Sequence, residues 1–250
     1  MAEKIPILNI EIDNYSLKEL LLELKEGIIV TPNVDHMMRL QHDREFYQIY
    51  QRADYVILDS QIVRLALKFL GTPPKAVIPG SDLFPAFYNF HKANEDIRIF
   101  LLGAMPGVAG NAMDNINKKI GRRMIVGSFS PVFGFENDET YNQQIIEMIN
   151  DSQANVLAVG VGAPKQEKWI FKYHKKLENI KIFMGIGATI DFEAGSLNRA
   201  PKYLRNIALE WFYRLSQEPR RLWKRYIIYD LPFFWLVIKF KFGWYKNPFA

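Results

Sequence analysis

The stretch from Asn155 to Trp169, NVLAVGVGAPKQEKW, contains the pattern that decides the fold. Its first half is apolar at almost every position, as in a strand that helices cover on both faces of a parallel sheet. Glycines and then Pro164 follow, and proline suits the start of a helix because its missing N–H would have no intrahelical partner there. From Gln166 onward, apolar residues recur three and four positions apart, which is typical of a helix. The stretch is therefore predicted to form a buried strand, a tight turn and a helix.

The same unit recurs along the chain. Apolar runs alternate with amphipathic stretches, which predicts an α/β fold with a mostly parallel, Rossmann-like sheet between layers of helices. The order of the strands is not readable from the pattern. The predicted strands are Ile28–Thr31, Tyr55–Leu58, Ile97–Gly103, Met124–Phe129, Asn155–Gly162 and Lys181–Gly187. The predicted helices are Phe46–Arg52, Ile62–Leu70, Leu83–Ala93, Val108–Ile120, Tyr141–Ile149 and Gln166–Leu177.

Charge and aromatic residues divide the chain into a body, residues 1–195, and a C-terminal appendage, residues 196–250. The appendage has eleven Lys or Arg and three Asp or Glu, a balance of +8, whereas the body has 21 and 24, a balance of −3. Four of the five tryptophans also lie in the appendage. A basic, aromatic segment attracts an anionic partner, such as lipid head groups, a diphosphate or nucleic acid.

The appendage is predicted to be helical throughout. One helix is expected to open at Pro201 and run to about Gln217, and a second to open at Pro219. The apolar run Leu231–Phe242 is far shorter than the roughly 20 residues that span a bilayer. We therefore expect it to lie in the membrane interface, the alternative being that it packs on the body or on another subunit. The second helix places three cations on one face: Arg221, Lys224 and Arg225.

Several classes of protein are excluded or disfavoured. The sequence has no cysteine, which excludes disulfides and thiolate chemistry. It lacks the G-x-G-x-x-G and P-loop fingerprints, so a dehydrogenase or P-loop enzyme is poorly supported. The start, MAEKIPILNIEID, has no apolar core of a secretory signal, so a cytoplasmic location is expected. It also lacks D-x-D and H-E-x-x-H motifs, so no metal site is expected, and four histidines are expected as surface or capping residues: His36, His42, His91 and His174.

Glycines end three of the predicted strands. Gly103, Gly162 and Gly187 lie where the carboxyl ends of parallel strands meet helix N-termini, which is where open α/β sheets bind ligands. Each turn by itself could be a tight connection without a ligand. The three together indicate a phosphate-bearing ligand.

Polar residues at the same edge of the sheet are candidates for chemistry. Asp59 follows the predicted strand YVIL, at the position where catalytic carboxylates are found, although Asp59 or Ser60 could instead cap the next helix. Thr31 and Asn33 follow the neighbouring strand and would project into the same cleft, or serve the turn there. Two more polar residues are expected beside the cleft: Gln166 and Asp191.

Six motifs together resemble one family. They are TPNVDH (Thr31–His36), ADYVILDS (Ala53–Ser60), PGSDL (Pro79–Leu83), FLLGAMPGVA (Phe100–Ala109), GVGAPKQEKW (Gly160–Trp169) and the long run Ile186–Tyr226 with its RAP and LEWFYRLSQEPRRLW blocks. Over residues 28–229 the chain resembles the WecG/TagA/CpsF glycosyltransferases, glycosyltransferase family 26. The spacing within GAPKQEKW and the later blocks makes the resemblance specific.

The resemblance implies an inverting, metal-independent hexosyltransferase of cell-surface polysaccharide synthesis, peripheral on the cytoplasmic face of the membrane. The donor would be a UDP-sugar, as substrate rather than cofactor, and the acceptor a polyprenyl-diphosphate-linked saccharide. The donor sugar stays open among glucose, N-acetylmannosamine and a related uronic acid. No nucleic acid partner is implied, and a homo-oligomer is one option for the assembly.

Site roles follow from the same resemblance. Asp59 matches the catalytic base, Thr31 and Asn33 line the donor pocket, and Gln166 approaches the donor. An arginine that many members carry shortly before the G-x-D-L motif is absent here, and Lys75 is the candidate replacement. Four appendage cations match residues that would bind the acceptor diphosphate: Arg214, Arg221, Lys224 and Arg225. The rival hypotheses are a non-catalytic module that binds membrane or nucleic acid and a nucleotide-dependent oxidoreductase.

Overall fold

A computed structural model describes residues 2–206 and 208–250, apart from the side chains of residues 202, 206 and 221. Its strands are β1 (Lys4–Ile7), β2 (Ile10–Asp13), β3 (Gly27–Val30), β4 (Tyr55–Val56), β5 (Ile99–Gly103), β6 (Ile125–Phe129), β7 (Val156–Gly160) and β8 (Ile182–Gly185). The described residues form a parallel sheet in the order β4-β3-β8-β7-β5-β6. Because β8 pairs with β3, the last strand of the body lies beside its first parallel strand.

Helices connect the strands and cover the sheet. They are α1 (Leu17–Glu23), α2 (Val34–Arg39), α3 (Arg44–Arg52), α4 (Gln61–Leu70), α5 (Gly80–Phe90), α6 (Val108–Ile120), α7 (Glu139–Asp151), α8 (Lys165–Tyr173), α9 (Thr189–Ala194), α10 (Lys202–Asn206), α11 (Glu210–Gln217), α12 (Pro219–Lys224) and α13 (Pro232–Lys241). Successive residues of β5 point to opposite faces, so Leu101 packs in one hydrophobic core and Phe100 and Leu102 in another. The predicted α/β class with a Rossmann-like parallel sheet is confirmed.

The N-terminal region contains elements that the strand–helix pattern does not predict. β1 and β2 form an antiparallel hairpin, with Ile5 opposite Ile12. The next helix, α1, begins with a capping box in which Ser16 accepts from the Glu19 N–H and the Glu19 side chain accepts from the Ser16 N–H. A Ser-x-x-Glu spacing of this kind is a recognisable helix start, so α1 could have been predicted from the sequence.

The first appendage helix is shorter than predicted. Instead of one helix to Gln217, the chain forms α10 and α11, and Ala208 between them has a φ of 63°. A non-glycine residue in this left-handed region cannot continue a right-handed helix, so the chain changes direction there. After α12 the chain continues as a π-helical turn, Arg225–Tyr229.

The helix α13 packs on the body through one face. Phe233 and Val237 are buried, at 0% and 4% exposure, in the same core as residues of α2 and α4. For this face of Leu231–Phe242 the alternative of packing on the body therefore applies, and contact of the remaining face with the membrane stays a prediction. Its neighbours Phe234 and Trp235 remain about half exposed. Within residues 2–206 and 208–250, the helices are all too short or too polar to span a bilayer.

Candidate functional site

A cleft of about 1530 Å³ lies at the carboxyl ends of the parallel strands. The residues that follow β3, β4, β5, β7 and β8 line it, and residues of the appendage line it as well. The β3–β8 pairing brings segments from opposite ends of the body to one edge. The predicted site residues that line this cleft are Thr31, Asn33, Asp59, Gly162, Gln166, Gly187, Asp191, Arg214 and Arg225.

Two predicted site residues, Gly103 and Lys224, are absent from the described lining of the cleft. Gly103 has a φ of 136°, and a Cβ there would collide with the backbone of Gly160 on the paired strand β7. Its lack of a side chain thus permits close strand packing, and the next two residues, Ala104 and Met105, line the cleft instead. Lys224 is exposed beside Trp223, 5.7 Å from the ring centre. The side chain of Arg221 lies outside the described part of the structure.

Asp59 is held by two donors at the base of the cleft. The Asn33 side chain and the N–H of Gly80, the first residue of α5, both donate to the carboxylate. Ser60, not Asp59, caps α4, because the Ser60 hydroxyl accepts from the N–H groups of Ile62 and Val63. The capping alternative for Asp59 is thereby removed, and its carboxylate faces the cleft.

The pKa of Asp59 is raised to about 6, first by burial and then by the negative charge of Glu210. The positive charge of Arg214 and the two hydrogen bonds act in the opposite direction. Glu210 and Arg214 both belong to α11, so the appendage contributes charges of both signs to the surroundings of the carboxylate. A carboxylate with a pKa near 6 is a stronger base than an ordinary aspartate and is still ionised at neutral pH.

Gln166 connects two of the glycine turns. Its side-chain oxygen accepts from the N–H of Gly187 at 3.2 Å, and its amide nitrogen donates to Glu167 at 2.8 Å. A Cβ on Gly185 would lie 2.8 Å from that nitrogen, so only glycine leaves room for this arrangement. Gln166 is 4% exposed, and its position fixes the start of α8 against the end of β8.

One polar residue in the lining of the cleft is buried, contrary to its prediction. His36 was expected at the surface or as a cap, but it is 3% exposed, and its Nδ1 lies 2.6 Å from the Tyr50 hydroxyl. Burial lowers the pKa of His36 to about 3, so the ring is neutral at physiological pH. The helix α2 is amphipathic over too few residues for its buried face to be read from the sequence.

Glu167 is also buried, although its place in the first turn of α8 predicts only a favourable interaction with the helix dipole. Burial raises its pKa to about 7. The Oε1 atom accepts from Gln166, while Oε2 has no hydrogen-bond partner among the described residues. Glu167 therefore destabilises the folded protein when it is ionised.

Glu167→Gln is expected to stabilise the protein at pH 8.5 by roughly 3 kcal/mol and to have little effect below pH 4.5. The folded pKa of about 7 lies above the unfolded value of 4.5, so the cost of ionisation grows between these values and is complete above pH 7. Urea unfolding at both pH values measures this difference. Exposed Glu178→Gln is the control, and an equal response of both variants would contradict the argument.

Two arginines that the sequence analysis did not single out bind Asp82, in the first turn of α5. Arg199 donates to both carboxylate oxygens, at 2.6 and 2.9 Å, and Arg205 donates to one of them at 3.3 Å. Both arginines are 117 or more positions from Asp82 in the sequence, so no local pattern predicts these pairs. The cluster joins the start of the appendage to the helix whose first N–H binds Asp59.

Lys75 does not take the place of the missing arginine in the described structure. It pairs with Glu19 at 2.9 Å and is absent from the lining of the cleft. The cations beside the Gly-Ser-Asp-Leu motif are Arg199 and Arg205, which come from the appendage.

Arg225 lies at the boundary between the appendage and the body. Its guanidinium is 3.7 Å from the buried carboxylate of Asp35 on α2 and 4.0 Å from Asp230. Arg39 also donates to Asp35, at 3.0 Å. Arg225 therefore attaches the appendage to the body as well as lining the cleft.

The arrangement combines a base, polar donors and cations around one cavity. Asp59 can accept a proton, while Arg214 and the N-terminus of α8 can interact with anionic oxygens. In the part of the chain that the structure describes, His, Asp and Glu side chains nowhere gather in groups of three that could bind a metal ion. Transfer of a group between an anionic carrier and a hydroxyl fits these residues.

Comparison with known proteins agrees with this chemistry. Residues 5–247 match the model of one protein family, described as the glycosyl transferase WecG/TagA/CpsF family. The match covers nearly the whole chain, including the appendage as far as the residues after α13. Members of this family take part in cell-surface polysaccharide synthesis. The chain therefore belongs to the WecG/TagA/CpsF family of glycosyltransferases.

Proposed function

We propose that this glycosyltransferase moves a sugar (glucose, N-acetylmannosamine or a related uronic acid) from a UDP-sugar to a polyprenyl-diphosphate-linked saccharide, with inversion and without a metal ion. The observation that carries the proposal is Asp59. Its carboxylate follows a strand end, has a pKa of about 6 and lines a large cleft. A sugar hydroxyl is a poor nucleophile, so such a base must accept its proton as the hydroxyl attacks the anomeric carbon.

The departing UDP needs positive partners because its diphosphate gains negative charge as the bond to the sugar breaks. The helix α8 begins beside the cleft, so the positive end of its dipole lies there, although the Gln166 N–H already donates to the Gly162 carbonyl. Lys165 from the same turn also lines the cleft, as does Arg214 from the appendage. These groups support a metal-independent mechanism.

The acceptor and the membrane are proposed to meet the appendage. Its surface exposes large apolar side chains close to cations, as in a protein that lies on an anionic bilayer. Lys239 lies 5.5 Å from the ring centre of Trp235, and that ring is 54% exposed. Other half-exposed appendage residues include Phe212, Ile227, Ile228, Tyr229, Phe242 and Trp244.

A screen of UDP-sugars against a polyprenyl-diphosphate-linked acceptor, with mass spectrometry of the lipid product, tests the proposed reaction. One donor should increase the acceptor mass by the mass of one residue of its sugar, and UDP should protect the protein against thermal unfolding. Absence of transfer from UDP-glucose, UDP-N-acetylmannosamine and the related UDP-uronic acid, together with absence of UDP protection, would contradict the proposal. NAD(P)H binding in their place would favour the oxidoreductase alternative.

Turnover is expected to be unchanged within about twofold when EDTA is added, because Arg and Lys side chains and the positive end of the α8 dipole supply the positive charge. Initial rates with EDTA, with Mg²⁺ and with Mn²⁺ measure this. Activity that EDTA abolishes and either ion restores would overturn metal independence.

Glu210→Gln is expected to shift the acid limb of the kcat/KM pH profile to lower pH. The charge of Glu210 raises the pKa of Asp59, so removing that charge leaves Asp59 ionised at lower pH. The kcat/KM of the wild type should decrease below pH 6, and that of the variant should begin to decrease only at a lower pH. Glu218→Gln, also in the appendage, is the control, and an unshifted limb in Glu210→Gln would show that Asp59 does not set it.

A further inference from the structure

One arm of the cleft is apolar. It lies between α4 and α13, and its lining includes Leu65 and Phe69 from α4, Phe234 and Ile238 from α13, and Leu231 at the N-cap of α13. Four of these side chains are about half exposed, at 52% for Leu65, 49% for Phe69, 53% for Leu231 and 49% for Phe234. Large apolar side chains that line a cavity and stay exposed to water mark a surface for an apolar ligand.

Helical spacing gives the arm two facing walls. Leu65 and Phe69 are four residues apart on α4, and Phe234 and Ile238 are four apart on α13, so each pair lies on one face of its helix. The buried neighbours of these pairs, Ala66 and Val237, belong to one core that joins the two helices. The two exposed pairs are therefore carried by helices that pack together in one core, and not by loops.

The apolar arm is continuous with the charged part of the cleft. The helix α4 begins directly after Asp59, and Phe69 lies about 14 Å along the helix from the cap Ser60. On the other wall, Leu231 directly follows Asp230, which contacts Arg225. At Phe69, Lys241 lies 3.8 Å from the ring centre and donates to the Phe69 carbonyl at 2.6 Å. A ligand here would be anionic where it meets Arg214 and Arg225, and apolar along α4 and α13.

We propose that the groove between α4 and α13 binds the first isoprene units of the lipid acceptor. The inference rests on the proposed function, because a saccharide linked through a diphosphate to a polyprenyl chain has this distribution of charge and apolar surface. The saccharide lies at Asp59, the diphosphate at the cations and the start of the prenyl chain along Leu65, Phe69 and Phe234. The groove thus distinguishes a lipid-linked acceptor from a soluble one.

The test compares the affinities of farnesyl diphosphate and inorganic diphosphate by calorimetry, with the full-length protein and below the micellar concentration. The wild type should bind farnesyl diphosphate at least about tenfold more tightly, because the prenyl units bury apolar surface. The double variant Leu65→Asn/Phe69→Ser should lose most of that advantage and keep its affinity for inorganic diphosphate. Leu22→Asn/Phe90→Ser is the matched control, because these side chains are 54% and 47% exposed and lie away from the cleft.

Sedimentation with anionic vesicles separates the groove from a membrane-facing surface. The groove is supported if the double variant binds vesicles as the wild type does but no longer prefers farnesyl diphosphate to inorganic diphosphate. The opposite result would overturn the proposed groove: the double variant loses vesicle binding but still prefers farnesyl diphosphate to inorganic diphosphate as the wild type does. That result would assign this face to the bilayer. Equal affinity of the wild type for the two diphosphates would also overturn it. Failure of sugar transfer with every UDP-sugar contradicts the proposed function instead, since the farnesyl comparison needs no turnover.

Discussion

Asp59→Asn is expected to lower kcat by roughly 10²–10⁴-fold, the range that general acid–base catalysis contributes. The amide nearly matches the carboxylate in size, and its oxygen can still accept a hydrogen bond from Asn33 or Gly80. It cannot accept the proton of the attacking hydroxyl. Because the substitution does not change the shape of the cleft, the UDP affinity and the thermal stability of the variant should be close to those of the wild type. Single-turnover rates at pH 7.5, together with calorimetric binding of UDP, measure the two effects separately.

The exposed carboxylate Asp114 on α6 provides the matched control, and Asp114→Asn should be fully active. A further check is pH. Wild-type turnover should decrease below pH 6, because the protonated form of Asp59 cannot serve as a base. The residual activity of Asp59→Asn should lack that decrease. A variant with more than half of wild-type turnover would remove Asp59 from the role.

Phe233→Ala is expected to lower the free energy of unfolding by about 3–5 kcal/mol, the usual cost of removing a buried phenylalanine side chain. Phe233 is 0% exposed and packs with residues of α2, α3 and α4 in one core. The substitution leaves a cavity between the appendage and the body. Unfolding in urea at neutral pH, monitored by far-UV circular dichroism, measures the change.

Its neighbour Phe234 provides the comparison. Phe234 is 49% exposed, so Phe234→Ala should change stability by less than about 1 kcal/mol. Equal losses in the two variants would show that α13 does not pack as described. Because α13 contributes to the core, point substitutions test its membrane role more cleanly than removal of the C-terminus does.

Much of the fold could be predicted because it depends on local chemistry. Buried parallel strands need apolar residues on both faces, and all six predicted strands overlap strands of the sheet. The start of α8 follows from Pro164 and the glycines before it, while α6 matches its predicted bounds, Val108–Ile120. The hairpin β1–β2 was missed because its short strands do not form part of the repeated strand–helix unit.

The candidate site was only partly predictable. Asp59, Thr31 and Asn33 follow strands, and any parallel sheet brings such residues to one edge. The pairing of Asp82 with Arg199 and of Asp35 with Arg225 could not be read, because each joins residues far apart in sequence. The buried state of His36 and Glu167 likewise depends on which elements pack above them.

The sequence by itself thus determined the α/β class and the family, and it predicted the edge of the sheet that the cleft occupies and Asp59 as the candidate base. These features follow from periodicity, turn chemistry and motifs, in which residues act on near neighbours along the chain. Only the tertiary structure decided the strand order, the two arginines on Asp82, the burial of Phe233 and the groove between α4 and α13. The physical reason is that burial and ion pairing depend on distance in space, and the packing of α13 against α4 brings together residues more than 150 positions apart.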